Sequence, residues 1–305
     1  MNASATSASA QGYVPDPRND RVLVYVDGRF VPRNEAVVSI FDSGFVLGDG
    51  VWEGLRLVNG HLVALDRHLA RLYEGASAIA LDIGLSRDAM ADAIRATLDR
   101  NGMTDGVHVR LMVTRGLKTT PNQDPRFAVG RPTIVIAEYK TPNADSKAKG
   151  LALFTSTFRC GTPDVFDLRL NSHSRLNLIQ ALIQAINAGA DEALMLDPNG
   201  FVASCNSTNF FIVRGEELWT STGRYSFNGI TRGNVIELYR QDGGIVREKD
   251  FTLAEVYAAD EAFATGTLGG VTPVVRVDGR VIGNGRPGPI AIRVGDMYRA
   301  ASAAL

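Results

Sequence analysis

Apolar residues along the chain keep switching between two spacings. Val22 to Val26 reads as a strand, turned at Asp27-Gly28 and returned through Phe30-Val31 as a hairpin. A second hairpin is expected from Val51 to Val58 and Leu62 to Leu65 around Asn59-Gly60. The spacing then lengthens. Leu69, Leu72, Tyr73 and Ala76 fall on one helical face within Asp66 to Ile79, and Ser86 can cap a second helix that runs to about Arg100 and stops at Asn101-Gly102. Strand patterns resume at His108 to Thr114 and Thr133 to Glu138. Strands and helices in this unequal alternation suit an α+β domain better than a doubly wound sheet.

The polar stretch Thr141 to Lys149 reads as a linker. Beyond it come a strand from Leu151 to Phe158, a helix from Leu176 to Ala188, and a strand from Ala193 to Leu196 ended by Pro198-Asn199-Gly200. Strands dominate as far as Thr231, where a helix to about Gln241 begins. Thr252 with Glu255 forms a capping box, and a hairpin around Asp278-Gly279 precedes a C-terminal helix. The expected organisation is a tail over residues 1–20, a small domain over 21–140, a linker over 141–149 and a larger domain over 150–305.

Composition narrows the function. The 305 residues are 45% hydrophobic and 21% charged, with a net charge of -1, so no basic field exists to hold nucleic acid or an anionic membrane. Two cysteines are too few for a disulfide framework, and no ligand cluster suggests a metal. No apolar run approaches the roughly 18 residues of a membrane span, and the Ala/Ser-rich start lacks the charge and apolar core of a signal peptide. A cytoplasmic protein with a disordered N-terminal tail is expected.

Four segments carry more specific information: FDSGFVLGDGVWEGLR (Phe41 to Arg56), DRHLARL (Asp66 to Leu72), GITR (Gly229 to Arg232) and GTLGGVTPV (Gly266 to Val274), with GADEALMLDPNGFV (Gly189 to Val202) between them. In this order they resemble the fold-type IV pyridoxal phosphate (PLP) enzymes: branched-chain and D-amino-acid aminotransferases and aminodeoxychorismate lyases. The likeness extends over nearly all of Val22 to Arg299. It implies a two-domain α+β architecture, a homodimer, and amino-group transfer between an amino acid, branched-chain ones among the candidates, and a 2-oxo acid.

The resemblance places Arg71 on the cofactor phosphate, a dianion whose burial requires a fixed cation and several donors. Gly229, Ile230 and Thr231 open a helix whose N–H groups and dipole favour an anion, and Gly266-Thr267 offers a close backbone approach with a hydroxyl. Ser204 and Ser207 fall in the run Ala203 to Asn209, where the family contacts the cofactor ring. His108 and Arg110 share a strand face, and Arg115 follows at the next turn. One of the two arginines is expected to hold a substrate carboxylate.

Two departures stand out. The family's Schiff-base lysine belongs just before the helix at Leu176, yet Asp167 to Arg175 contains none, and the chain's lysines are Lys118, Lys140, Lys147, Lys149 and Lys249. Counting back from Gly189 puts that lysine at Leu170 or Arg169, with Arg175 at a ring-contacting position. Arginine stays protonated and cannot replace the amine. Ser204 also stands where the aminotransferases place a glutamate against the pyridine nitrogen. The expected cofactor is therefore PLP or pyridoxamine phosphate (PMP) held noncovalently. The alternatives are a lysine-free relative performing condensation, elimination or a cofactor-independent reaction, and a ligand-binding pseudoenzyme.

Overall fold

The computed structural model describes residues 9–130 and 133–302, which form two compact units. The larger comprises 9–14, Pro142–Arg169 and Leu176–Ser302; the smaller comprises Pro15–Thr141 and Leu170–Arg175. Of the expected tail, residues 1–8 lie outside the described residues, whereas Ala10 is buried in the apolar core of the larger unit.

The smaller unit is a six-stranded antiparallel sheet in the order Arg29–Pro32, Leu23–Val26, Thr133–Tyr139, Val107–Thr114, Gly50–Val58, His61–Leu62. Alternation along Val107–Thr114 sends Val107, Val109, Leu111 and Val113 into a core with Leu69, Leu72, Met90 and Ile94 from helices Leu65–Ala78 and Arg87–Arg100. His108 and Arg110 occupy the opposite face. The register pairs Gly54 with Arg110 and Arg56 with His108, so Trp52 and Gly54 share that face. The hairpin at Asn59-Gly60 forms as expected, but its second strand ends at Leu62, because Ala64 takes a left-handed backbone (φ 52°) and the helix begins at Leu65.

Residues 170–175 return to this unit along the edge of Gly50–Val58. Trp52 donates its backbone N–H to the Asn171 carbonyl (2.9 Å) and its indole N–H to the Ser172 carbonyl (3.1 Å), while the His173 N–H reaches the Gly50 carbonyl (3.0 Å).

The larger unit holds a nine-stranded mixed sheet. Its strands run Val202–Cys205, Glu192–Leu196, Leu151–Thr155, Gly270–Val277, Glu261–Gly266, Asn209–Arg214, Glu217–Thr220 and Ile245–Glu248, with Arg280–Val281 paired beside Gly270–Val277. Helices Leu176–Asn187, Ile230–Gln241 and Pro289–Ala301 carry apolar residues into the cores against it. The strand expected to reach Phe158 stops at Thr155. The stretch read as a linker contains a helix, Ala144–Lys149, capped by the Asn143 side chain, a signal hidden by the absence of an apolar stripe.

Candidate functional site

In the larger unit, three loops meet beside the N-terminus of helix Ile230–Gln241. Gly229 is its N-cap and no side chain caps it, so its first N–H groups are left for another acceptor. The Gly229 N–H donates to Asn209 Oδ1 (3.2 Å), and Asn209 Nδ2 donates to the Phe227 carbonyl (2.7 Å), which ties this helix start to strand Asn209–Arg214. A Cβ on Gly229 would collide with Asn209 Oδ1, so the close approach requires glycine. Thr231 is buried, with its hydroxyl 3.4 Å from that of Tyr298.

Strand pairing sets Asn209 opposite Thr265, one residue before Gly266. A Cβ at Gly266 would lie 3.1 Å from the Thr208 methyl. Buried Thr265 Oγ1 has no hydrogen-bond partner among the described residues, an orphan of the kind a polar ligand or water satisfies. Ser204, Ser207, Gly229, Ile230, Thr231, Gly266 and Thr267 thus belong to one neighbourhood of one unit. Ser207 is exposed, and Ser204 is buried with its hydroxyl donating to the Thr208 carbonyl (2.8 Å). Having donated its one hydrogen, Ser204 Oγ can act toward a ring nitrogen only as an acceptor.

The smaller unit holds several partly buried cations of its own. Glu53 lies on the helix-facing side of its strand, 0% exposed among apolar neighbours, and would be costly there without partners. Arg71 supplies a two-pronged bond, Nε to Oε1 and Nη2 to Oε2, each 2.7 Å, and His68 Nδ1 lies 2.7 Å from Oε2. Burial alone would raise the Glu53 carboxyl, but the bonds from Arg71 and His68 hold it below its ordinary range. Burial pushes His68 down, against the bond to Glu53, which raises it.

On the opposite sheet face, the Arg110 guanidinium lies 3.3 Å from the centroid of Trp52 and that of Arg175 lies 5.0 Å from it. Glycine at 54 leaves the space, since a Cβ there would sit 3.1 Å from His108 Nε2 and 3.5 Å from Trp52 Cζ3. Burial lowers Arg110 and Arg175 to about 10, and each remains a cation at neutral pH. Burial takes His108 down to about 3 and His173 to about 4, and the buried His173 Nε2 has no hydrogen-bond partner among the described residues.

Arg115 is committed elsewhere, to Asp49 (2.6 and 3.1 Å) and to the carbonyls of Ile79 and Ala80. Arg169, in the larger unit, is exposed and paired with Asp167, while Arg175 bonds Asn171 Oδ1 and the Ser172 carbonyl. Lys118 is buried with its ammonium on the Asp124 carbonyl (2.9 Å). Glu53, Trp52, His173 and Asn209 escaped the sequence reading. A glutamate inside the apolar strand Val51 to Val58 was the available signal for the first.

The chain is similar to known proteins over most of its length. The family model for class IV amino-transferases matches residues 50–277. A branched-chain-amino-acid aminotransferase-like protein 2 from Arabidopsis thaliana is 42% identical over 94% of this chain, which spans about half (51%) of that relative's length. A putative branched-chain-amino-acid aminotransferase from Methanocaldococcus jannaschii is 38% identical over 90% of this chain and 95% of its own. The crystal structure of a T.th. branched-chain amino acid aminotransferase with pyridoxamine 5'-phosphate superposes with a TM-score of 0.88 at 30% identity, covering 93% of this chain and 95% of that one. The chain belongs to the class IV aminotransferase family.

Proposed function

We propose that this protein binds PLP or PMP noncovalently and that, as it stands, it moves amino groups between an amino acid and a 2-oxo acid very slowly or not at all. One observation carries the reading. The half-site suited to a phosphate is complete, with an uncapped helix start, the close approach at Gly229, the Thr231 hydroxyl and the orphan Thr265 Oγ1, whereas residues 169–175 offer arginines and no amine. A crystal structure with PMP in the T.th. relative supports the choice of cofactor.

In this reading the N–H groups at Ile230 and Thr231 and the Thr231 and Thr267 hydroxyls hold the phosphate, while Arg71, its orientation fixed by Glu53, keeps the phosphate role that the family resemblance implies for it. When bound, the cofactor supplies an electron-withdrawing ring that labilises bonds at the substrate carbon. Ser204 accepts a hydrogen bond but carries no charge to keep a proton on the ring nitrogen, so that withdrawal is weaker than a carboxylate allows. Arg110 holds a substrate carboxylate; Arg115 is committed to Asp49 and is the weaker candidate. Residues 169–175 hold no primary amine, and the His173 imidazole, pushed down to about 4 by burial, is a weak base; loss of a catalytic amine commonly costs several orders of magnitude.

A second reading, lysine-free chemistry such as condensation or elimination, draws support from Arg175 stacked over Trp52, because a fixed cation there favours an anionic reactant.

Visible absorption of the purified protein with added PLP, before and after borohydride, tests the proposal. A shift on PLP addition with no reducible covalent adduct is expected. An adduct mapped to any of the five lysines, together with rapid turnover, would refute it. A homodimer is also proposed, supported by Leu176, Ile179, Ile183 and Ile186, exposed at helical spacing along one helix. Light scattering giving the 32.8 kDa monomer at micromolar concentration would exclude it.

A further inference from the structure

Glu192 opens strand Glu192–Leu196 and is 0% exposed, although it is a carboxyl group and plays no part in the site above. Its Oε2 accepts the Thr208 hydroxyl (3.0 Å). Its Oε1 accepts the Ala10 N–H (2.8 Å) and the Ser9 hydroxyl (3.0 Å). Two of its three donors therefore come from a segment more than 180 residues earlier in the chain. Ala10, 5% exposed, packs with Leu151, Phe210 and Ala264, and the Gly12 carbonyl accepts the Asn143 N–H (3.0 Å), so the segment is anchored on both sides of the contact.

The same segment touches the loop at Gly266–Gly269, which with the turn at Cys205–Thr208 and the start of helix Ile230–Gln241 forms the phosphate cup of the larger unit. A Cβ on Gly269 would lie 2.7 Å from the Ala10 carbonyl oxygen, and one on Gly266 would lie 3.4 Å from Gln11 Nε2. Glycine at 269 is thus what lets the loop carrying Thr267 lie against the N-terminal segment. Thr208 itself sits in a tight turn, its carbonyl accepting both the Cys205 N–H (2.8 Å) and the Ser204 hydroxyl (2.8 Å). One buried carboxyl group therefore joins the N-terminal segment to the turn bearing Ser204 and Ser207. Withdrawing Ser9 and Ala10 would leave that group in an apolar core with one donor of three, which couples the two energetically.

We propose that residues 9–11 act as a clasp that orders the turn at Cys205–Thr208 and the loop at Gly266–Gly269 through Glu192, making Glu192 a positioning residue for the phosphate cup. The cofactor role of that cup rests on the function proposed above. Burial raises the Glu192 carboxyl, and the hydrogen bonds from Ala10, Ser9 and Thr208 oppose that shift. A glutamine can fill the same place, its oxygen accepting from Ala10 and Ser9 and its amide donating to Thr208 Oγ1.

The test uses the full chain, with hydrogen exchange resolved by peptide and fluorescence titration with PMP. Ala10→Pro removes one donor and Glu192→Ala removes the acceptor. Both should speed exchange across 205–209 and 266–270 by about tenfold or more, the loss of roughly one hydrogen bond's worth of local stability, while leaving helix Ile230–Gln241 at its original rate. PMP affinity should fall by a similar factor, and Glu192→Gln should match the parent in both readouts. Faster exchange spread evenly over the larger unit, or unchanged exchange at both loops in Ala10→Pro, overturns the clasp. If the parent fails to bind PMP while the local exchange pattern holds, the clasp stands and the cofactor reading falls.

Discussion

The guanidinium of Arg110 lies over the indole of Trp52, 3.3 Å from its centroid, and among the described residues it forms no ion pair. Stacking on an aromatic face orients a guanidinium while leaving its in-plane N–H groups directed outward, the geometry that a carboxylate accepts. Arg115, by contrast, directs its donors to Asp49 and two carbonyls.

These two arginines should therefore separate by phenotype. Arg110→Ala is expected to weaken binding of a 2-oxo acid by about 1.5 to 3 kcal/mol, the strength of hydrogen bonds to a charged group, with little change in Tm. Arg115→Ala is expected to lower Tm and leave affinity nearly intact. Calorimetric titration with 2-oxoglutarate alongside thermal unfolding checks the pair, and the reverse pattern would exchange their roles.

Arg71 should show both effects. Its removal strips the buried Glu53 of its two-pronged partner and leaves it facing His68, so Arg71→Ala should destabilise the fold by about 3 to 5 kcal/mol. It should also weaken PMP binding by about 2 to 4 kcal/mol. Unaltered PMP affinity in a folded variant would remove Arg71 from the phosphate site.

The same pair sets an acid limit. Glu53 titrates below its ordinary value of 4.5 in the folded chain, so its contribution is complete above that value and is lost as pH falls through the lower folded value. His173 acts in the same direction but earlier. Its folded value of about 4 lies below the ordinary 6.5, so the unfolded chain takes up the proton first and stability declines as pH drops from about 6.5 toward 4. Unfolding in urea across pH 4 to 7 should show this decline, and His173→Gln should make it shallower, leaving the share of His68 and His108, which burial also depresses.

Locating the position of the family's amine requires three substitutions. Arg169→Lys, Arg175→Lys and Leu170→Lys are each to be assayed for a borohydride-reducible adduct with PLP and for amino transfer to a 2-oxo acid. Arg169 is exposed and paired with Asp167, whereas Leu170 is half-buried at the start of the returning segment, so gain is expected at Leu170. Gain at none of the three favours a pocket reshaped for other chemistry.

Much of the small sheet was readable because its strands alternate cleanly: Val107 through Val113 point inward at every second residue, and Asn59-Gly60 marks its turn. The motif residues of the larger unit were readable because glycine is forced where backbone meets Asn209 at Gly229. What stayed hidden depended on contacts distant in the chain. Nothing local to Glu53 announces His68 and Arg71 as its partners, and nothing local to Glu192 announces Ser9 and Ala10. Arg110 and Arg115 could not be ranked from sequence, because the choice turns on which of them already has a carboxylate.

The six residues 170–175 belong to the smaller unit although the chain on either side belongs to the larger one. Among the described residues the polypeptide therefore passes from one unit to the other four times, after residues 14, 141, 169 and 175, and no single cut separates them. A fragment ending at residue 140 would lose the carbonyls of Asn171 and Ser172 that receive the two N–H groups of Trp52, exposing the platform beneath Arg110 to water. The stretch that carries Arg175 is thus one that the small sheet needs for its own edge, where side chains are free to change only so long as the backbone keeps its course.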